Sequence, residues 1–162
     1  MHSEPHVLVI EDDREIARAI GLRLRAAGYS ISTAHDGADG LAAAAECRPA
    51  CIVLDVRMPC MDGLTTLAKL RQRDTTKRTP VVMLSASLVD QQKALDLGAR
   101  FFVEKPYQAG TLITAVQSAM VEAGGESPKY AVAAGQTPET ALFSQSSNRG
   151  STPWSYSREK PF

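Results

Sequence analysis

The chain is 162 residues long and 44% hydrophobic, and its 18 lysines and arginines balance its 18 aspartates and glutamates. Such a length suits one domain with a modest appendage, and the apolar content is enough for a continuous core. The zero net charge removes any global bias towards nucleic acid or an anionic membrane, and no apolar run approaches the roughly 20 residues that cross a bilayer.

The opening stretch, MHSEPHVLVIEDD, has no basic segment leading into an apolar one, so no signal peptide is expected and the chain reads as cytoplasmic. Cys47, Cys51 and Cys60 lack metal-ligand spacing, and His2, His6 and His35 do not fall beside them. The three thiols are read as reduced, with Cys51 and Cys47 acting as small apolar residues.

From His6 to about Glu122, strand and helix signals alternate. HVLVI, residues 6–10, is an aliphatic run ending in Glu11, Asp12 and Asp13. Ile16, Ile20 and Leu24 then recur at helical spacing, and Gly28 supplies a stop. Residues 29–34 alternate large and small side chains, as an edge strand does. Asp36 can cap an Ala-rich helix around Leu41 to Glu46. Residues 51–54 form the second aliphatic strand, and Leu64, Leu67, Ala68 and Leu70 mark the next helix. PVVML, residues 80–84, is the third aliphatic strand and runs into Ser85. A helix through Ala94 and Leu97 stops at Gly98, and residues 101–103 make a last strand before Lys105 and Pro106. Leu112, Ile113, Val116, Ala119 and Met120 complete an amphipathic helix.

Strands alternating with helices imply an α/β fold, a parallel sheet with helices on both faces. Near-continuous apolar runs mark central strands, so 7–10, 51–54 and 81–84 are placed inside and 29–34 at an edge. A flavodoxin-like five-stranded order, 2-1-3-4-5, fits best, with ligands expected beyond the carboxyl ends of the strands. After Ala123 the composition turns to Gly, Ser, Thr and Pro without periodicity. Residues 1–123 are therefore read as one domain and 124–162 as a flexible, disordered tail, with a docking peptide carried by Phe143, Trp154, Tyr156 and Phe162 as the alternative.

In a parallel sheet the strand ends face one side, which gathers Glu11, Asp12, Asp55, Ser85 and Lys105 at one crevice. Each alone could be a helix cap, a turn residue or a solvated charge. Together they are chemically unusual. Three carboxylates about 5 Å apart would repel by about 3 kcal/mol per pair at an effective dielectric of 20. Binding a cation relieves that crowding, and hard oxygens without thiolate or imidazole favour Mg²⁺. A carboxylate nucleophile, a Mg²⁺ site and the donors Lys105 and Ser85 are the equipment of phosphoryl transfer.

The motifs VLVIEDD, LDVRMPCMDG, VVMLSA and LGARFFVEKP, in this order and spacing, make the sequence resemble the receiver domain of bacterial two-component response regulators, of the stand-alone, chemotaxis-regulator-like kind. The resemblance covers His6 to about Glu122. It implies a phosphorelay signalling protein, not a substrate-turnover enzyme, whose partners are a histidine kinase or histidine phosphotransfer protein and a downstream protein target, with neither nucleic acid nor membrane bound directly.

By the same resemblance Asp55 is the phosphoacceptor. Asp12, Asp55 and the backbone carbonyl of Arg57 ligate Mg²⁺, with Glu11 acting through a metal-bound water, and Asp13 starts the following helix. Ser85 and Lys105 hold phosphoryl oxygens, the Lys105–Pro106 peptide is cis, and Phe102 is the aromatic switch. Phe102 is expected to turn into space that Ser85 vacates on phosphorylation, changing the surface of the fourth helix, fifth strand and fifth helix. Two departures stand out. The stretch 85–98 is about two residues shorter than in many receivers, and Arg57 is expected to overhang the phosphoryl group and slow its hydrolysis. Two rivals remain: a binding module that works without phosphorylation, and a haloacid dehalogenase-type phosphohydrolase. The latter needs a second Asp where Arg57 stands.

Overall fold

Every aliphatic run becomes a strand because its side chains are wanted on both faces at once. The structure, a computed structural model, describes residues 4–121 together with Ala131 and Val132. Its elements are β1 (His6–Ile10), α1 (Arg14–Ala26), β2 (Ser30–Ala34), α2 (Gly37–Cys47), β3 (Cys51–Asp55), α3 (Gly63–Gln72), β4 (Val81–Ser85), α4 (Gln91–Asp96), β5 (Phe101–Glu104), α5 (Ala109–Val121) and β6 (Ala131–Val132), with a 3-10 turn (Leu88–Asp90) before α4. The strands run parallel in the order β2-β1-β3-β4-β5-β6. The expected order 2-1-3-4-5 is present, and the two-residue β6 beside β5 is an addition that the sequence reading does not contain. The rest of the expected tail, with the domain boundary at residue 123 and the aromatics from Phe143 to Phe162, lies outside the described residues.

Alternate strand residues serve two cores. On one face Val7, Val9, Val53, Val82, Phe101 and Val103 pack against α1 and α5. On the other, Leu8, Ile10, Ile52, Leu54, Met83 and Phe102 pack against α2, α3 and α4. This double burial explains why β1, β3 and β4 read as unbroken apolar runs. Ile16 departs from expectation: it is 39% exposed although it shares the spacing of Ile20 and Leu24. Steps of four residues advance about 40° around a helix of 3.6 residues per turn, which carries Ile16 to the margin of the buried stripe. Cys51 is buried, whereas Cys47, read as apolar filling, is exposed, as is Cys60.

Asp13, Asp36 and Asp62 each cap a helix, accepting hydrogen bonds from Glu15 and Ile16, from Asp39, and from Thr65 respectively. Caps of this kind contribute about 1 kcal/mol each. They also sort the acids by role. Asp13 is at the start of a helix, as expected, and the caps are distinct from Glu11, Asp12 and Asp55. Between β4 and Gly98 there is room only for the 3-10 turn and a six-residue α4, in keeping with the short 85–98 segment. Among the described residues no helix is long and apolar enough to cross a membrane.

Candidate functional site

The parallel register carries the ends of β1, β3, β4 and β5 to one edge of the sheet. Asp55, the last residue of β3, is 4% exposed, and Glu11, just past β1, is 2% exposed. The chain turns back tightly after Asp55. Val56 donates its backbone N–H to Leu84, and Gly63 donates its own to Val56, both at 2.8 Å. A Cβ on Gly63 would collide with the carbonyl oxygen of Asp55 and come within 2.9 Å of the Val56 Cα. The glycine of the MPCMDG loop is therefore what lets α3 start directly over the end of β3. Cys60 occupies the left-handed region at φ 65° in the same loop.

One oxygen each of Glu11, Asp12 and Asp55 lies within 4.8 Å of the other two. Lys105 reaches into this group from the end of β5. Its ammonium lies 2.7 Å from Asp55 Oδ1 and 2.9 Å from Glu11 Oε2. Burial pushes the Glu11 carboxyl above its ordinary range; the Lys105 hydrogen bond opposes the rise and the Asp55 charge adds to it. Burial acts to lower the Lys105 ammonium, but its hydrogen bonds to Asp55 and Glu11, with their charges, outweigh it and raise it. The crevice thus concentrates negative charge that one lysine neutralises in part. Three carboxylates with no thiolate or imidazole among them suit a hard divalent cation, and Mg²⁺ fits this donor set.

Ser85, at the end of β4, is fully buried, and its Oγ accepts the backbone N–H of Ser87 at 3.1 Å. The Lys105–Pro106 peptide is cis, as the resemblance implied. The Phe102 ring is 0% exposed and packs in the core beneath α3 and α4. A plain phenyl ring has no hydroxyl to keep in water, so nothing holds it outside.

The Arg57 guanidinium faces Asp90 of the 3-10 turn, 3.6 Å from Oδ2. The sequence reading gave Asp90 no role and weighed His35 only as a metal ligand beside the cysteines. The His35 Nδ1 donates to the carbonyl oxygen of Glu11 at 3.1 Å, tying the end of β2 to the acidic loop. Neither residue carries a local signal, because each meets its partner only through the folded sheet.

A family model described as the response regulator receiver domain matches residues 7–117. YkoG of Bacillus subtilis, an uncharacterized transcriptional regulatory protein, is 39% identical over 121 residues, covering 74% of this chain and 52% of that protein. PilG of Pseudomonas aeruginosa is 35% identical over 114 residues, covering 69% of this chain and 84% of PilG. The chain spans about half the length of YkoG and of PrrA from Mycobacterium tuberculosis. Among solved structures, the chemotaxis protein CheY4 of Vibrio cholerae matches with a TM-score of 0.68 at 32% identity, over 72% of this chain and 98% of that one. The receiver domain of the sensor histidine kinase PA1611 from Pseudomonas aeruginosa, described with a magnesium ion coordinated in its active site cleft, matches with a TM-score of 0.68 at 25% identity, over 73% and 98%. Fold, strand-end constellation and family match agree, and the chain belongs to the response regulator receiver domain family, the signalling modules of two-component systems.

Proposed function

We propose that this chain is a cytoplasmic response regulator receiver that accepts a phosphoryl group on Asp55 from the phosphohistidine of a histidine kinase or phosphotransfer protein. The observation that carries the reading is the Asp55 carboxylate, 4% exposed at the end of β3, with Oδ1 held 2.7 Å from the Lys105 ammonium and two further carboxylates close by. With Oδ1 engaged, Oδ2 is the oxygen left to attack phosphorus. The new O–P bond forms as the P–N bond of the phosphohistidine breaks, and the imidazole leaves with the electron pair and takes up a proton.

Asp12, Asp55 and the backbone carbonyl of Arg57 would hold Mg²⁺, with Glu11 beside them bonded to Lys105. The bound ion supplies neutralisation of the charge on the transferring group. Lys105 supplies a fixed positive charge that orients Asp55 and then a phosphoryl oxygen. The Ser85 hydroxyl exchanges its Ser87 contact for a second phosphoryl oxygen. Phosphorylation then holds Ser85 in one place and favours the arrangement in which Phe102 is buried beneath α4, so the equilibrium of the α4–β5–α5 surface shifts. The test is phosphate incorporation from phosphorylated kinases or acetyl phosphate: the wild type takes up label, and Asp55→Asn takes up none. Undiminished labelling of the variant removes Asp55 from the role.

The buried Phe102 ring, 0% exposed, favours a second reading in which it is core packing and the module binds its partner without phosphorylation. Partner affinity separates the two. A regulator binds differently once phosphorylated; a phosphorylation-independent module binds equally in both states.

A further inference from the structure

Beside the acidic crevice lies a cleft of about 530 Å³, lined by Val56, Arg57, Met58, Asp62, Leu64 and Asp90. It separates the loop after β3 from the 3-10 turn after β4, and the Arg57–Asp90 ion pair crosses it at 3.6 Å. The two partners differ in their surroundings. The Arg57 side chain is 69% exposed and that of Asp90 only 21%. Asp90 Oδ2 is itself buried and takes no hydrogen bond, so this ion pair is what offsets its removal from water. The guanidinium can leave at little cost; the carboxylate is left in difficulty when it does.

Arg57 is also two residues from Asp55. Successive Cα atoms lie about 3.8 Å apart, so its backbone stays within roughly 7.6 Å of the acceptor, inside the reach of an extended arginine. We propose that Arg57 is a shared cation: it pairs with Asp90 in the unphosphorylated chain, transfers to the phosphoryl group once Asp55 carries one, and thereby releases the turn Leu88–Asp90. The inference rests on phosphorylation of Asp55 as proposed above. A phosphoryl group brings a charge of about −1.5 to −2 and three strong acceptor oxygens, against a single negative charge on Asp90. The guanidinium fork matches phosphate oxygens in a bidentate fashion. The pair given up is long and exposed on its basic side, a class of ion pair that contributes little.

Deprived of its cation, the Asp90 carboxylate gains by moving into water, and it carries the turn with it. Leu88 and Val89, 49% and 86% exposed, ride on that turn directly ahead of α4. A change of charge at Asp55 is thus converted into a displacement of two apolar side chains on the surface. No bond is made or broken in this step.

Amide hydrogen exchange of residues 87–91, read by mass spectrometry with and without acetyl phosphate and Mg²⁺, tests the proposal, with label at Asp55 followed in the same samples and exchange in α2 as the control for intact folding. In the wild type, exchange of this segment rises about two- to fivefold on phosphorylation, the range that an exposed ion pair can supply. Arg57→Gln, which leaves the Asp90 carboxylate without its cation, shows the raised rate in both states while α2 is unchanged. A labelled wild type whose 87–91 exchange stays constant overturns the proposal, as does an Arg57→Gln protein that keeps the wild-type rise. A wild type that takes up no label removes the phosphoacceptor reading and this inference with it.

Discussion

The Lys105 ammonium bridges two buried carboxylates, 2.7 Å from Asp55 and 2.9 Å from Glu11, from strands far apart in sequence. Its positive charge offsets the crowding of carboxylates in the acidic crevice. The same contact places a positive charge where a phosphoryl oxygen is expected.

Replacing Lys105 by Met leaves Glu11 and Asp55 buried without that partner. Loss of one member of a buried pair costs about 3–5 kcal/mol, and the partial exposure of Lys105 reduces this to about 1–3 kcal/mol. Urea unfolding of metal-free Lys105→Met checks the loss, and added Mg²⁺ is expected to restore part of it. Unchanged stability would mean that the carboxylates do not depend on the lysine.

The acidic cluster also sets a pH dependence. Burial raises the Glu11 carboxyl above its ordinary 4.5, so the folded chain binds this proton more tightly than the unfolded chain does. Stability from this group is therefore present at low pH and falls as pH rises from 4.5 through the raised value. Lys105 is likewise raised from 10.5, so its contribution is complete below 10.5 and is lost as pH climbs through the raised value. In metal-free protein, subtracting the Glu11→Gln stability curve from that of the wild type should give a difference that declines above pH 4.5. A difference that grows with pH would reverse the sign assigned to Glu11.

Gly63→Ala places a Cβ against the backbone of Asp55 and Val56. The neighbouring atoms are main chain and cannot swing aside, so a loss of about 3 kcal/mol is expected, at the upper end for overpacking. Phosphate uptake should fall as well, because the loop carrying Asp55 must shift. Thermal unfolding and labelling measured on one sample check both effects.

Phe102 offers a direct check of its buried position. Truncation to Ala at a fully buried ring costs about 3–5 kcal/mol, whereas an outward-facing switch residue would lose within about 0.5 kcal/mol. Equilibrium unfolding of Phe102→Ala distinguishes the two, and a negligible loss would contradict the inward ring.

Much of the fold is legible because its signals are local. Val7 to Ile10 and Val81 to Leu84 are apolar without interruption, as double burial demands, and Gly28 and Gly98 mark helix ends with φ of 93° and 95°. The gathering of Glu11, Asp12, Asp55, Ser85 and Lys105 follows from parallel strands alone. The rest depends on where side chains meet across the fold. The turn of Arg57 towards Asp90, the His35 bond to the Glu11 carbonyl and the inward Phe102 ring are set by packing between distant segments. Periodicity could place Phe101 and Phe102 on opposite faces, but it could not say which rotamer the second ring adopts. The two-residue β6 had no pattern long enough to read.

The central claim is that one carboxylate, Asp55, is esterified by phosphate, and chemical trapping of the acyl phosphate tests it most directly. Protein treated with acetyl phosphate and Mg²⁺ is reduced with borohydride, which converts a phosphorylated aspartyl group to homoserine, and the product is located by peptide mass spectrometry. The account predicts homoserine at position 55 and nowhere else, absent when Mg²⁺ is withheld. Homoserine at Asp12 instead, or none at all, would contradict it.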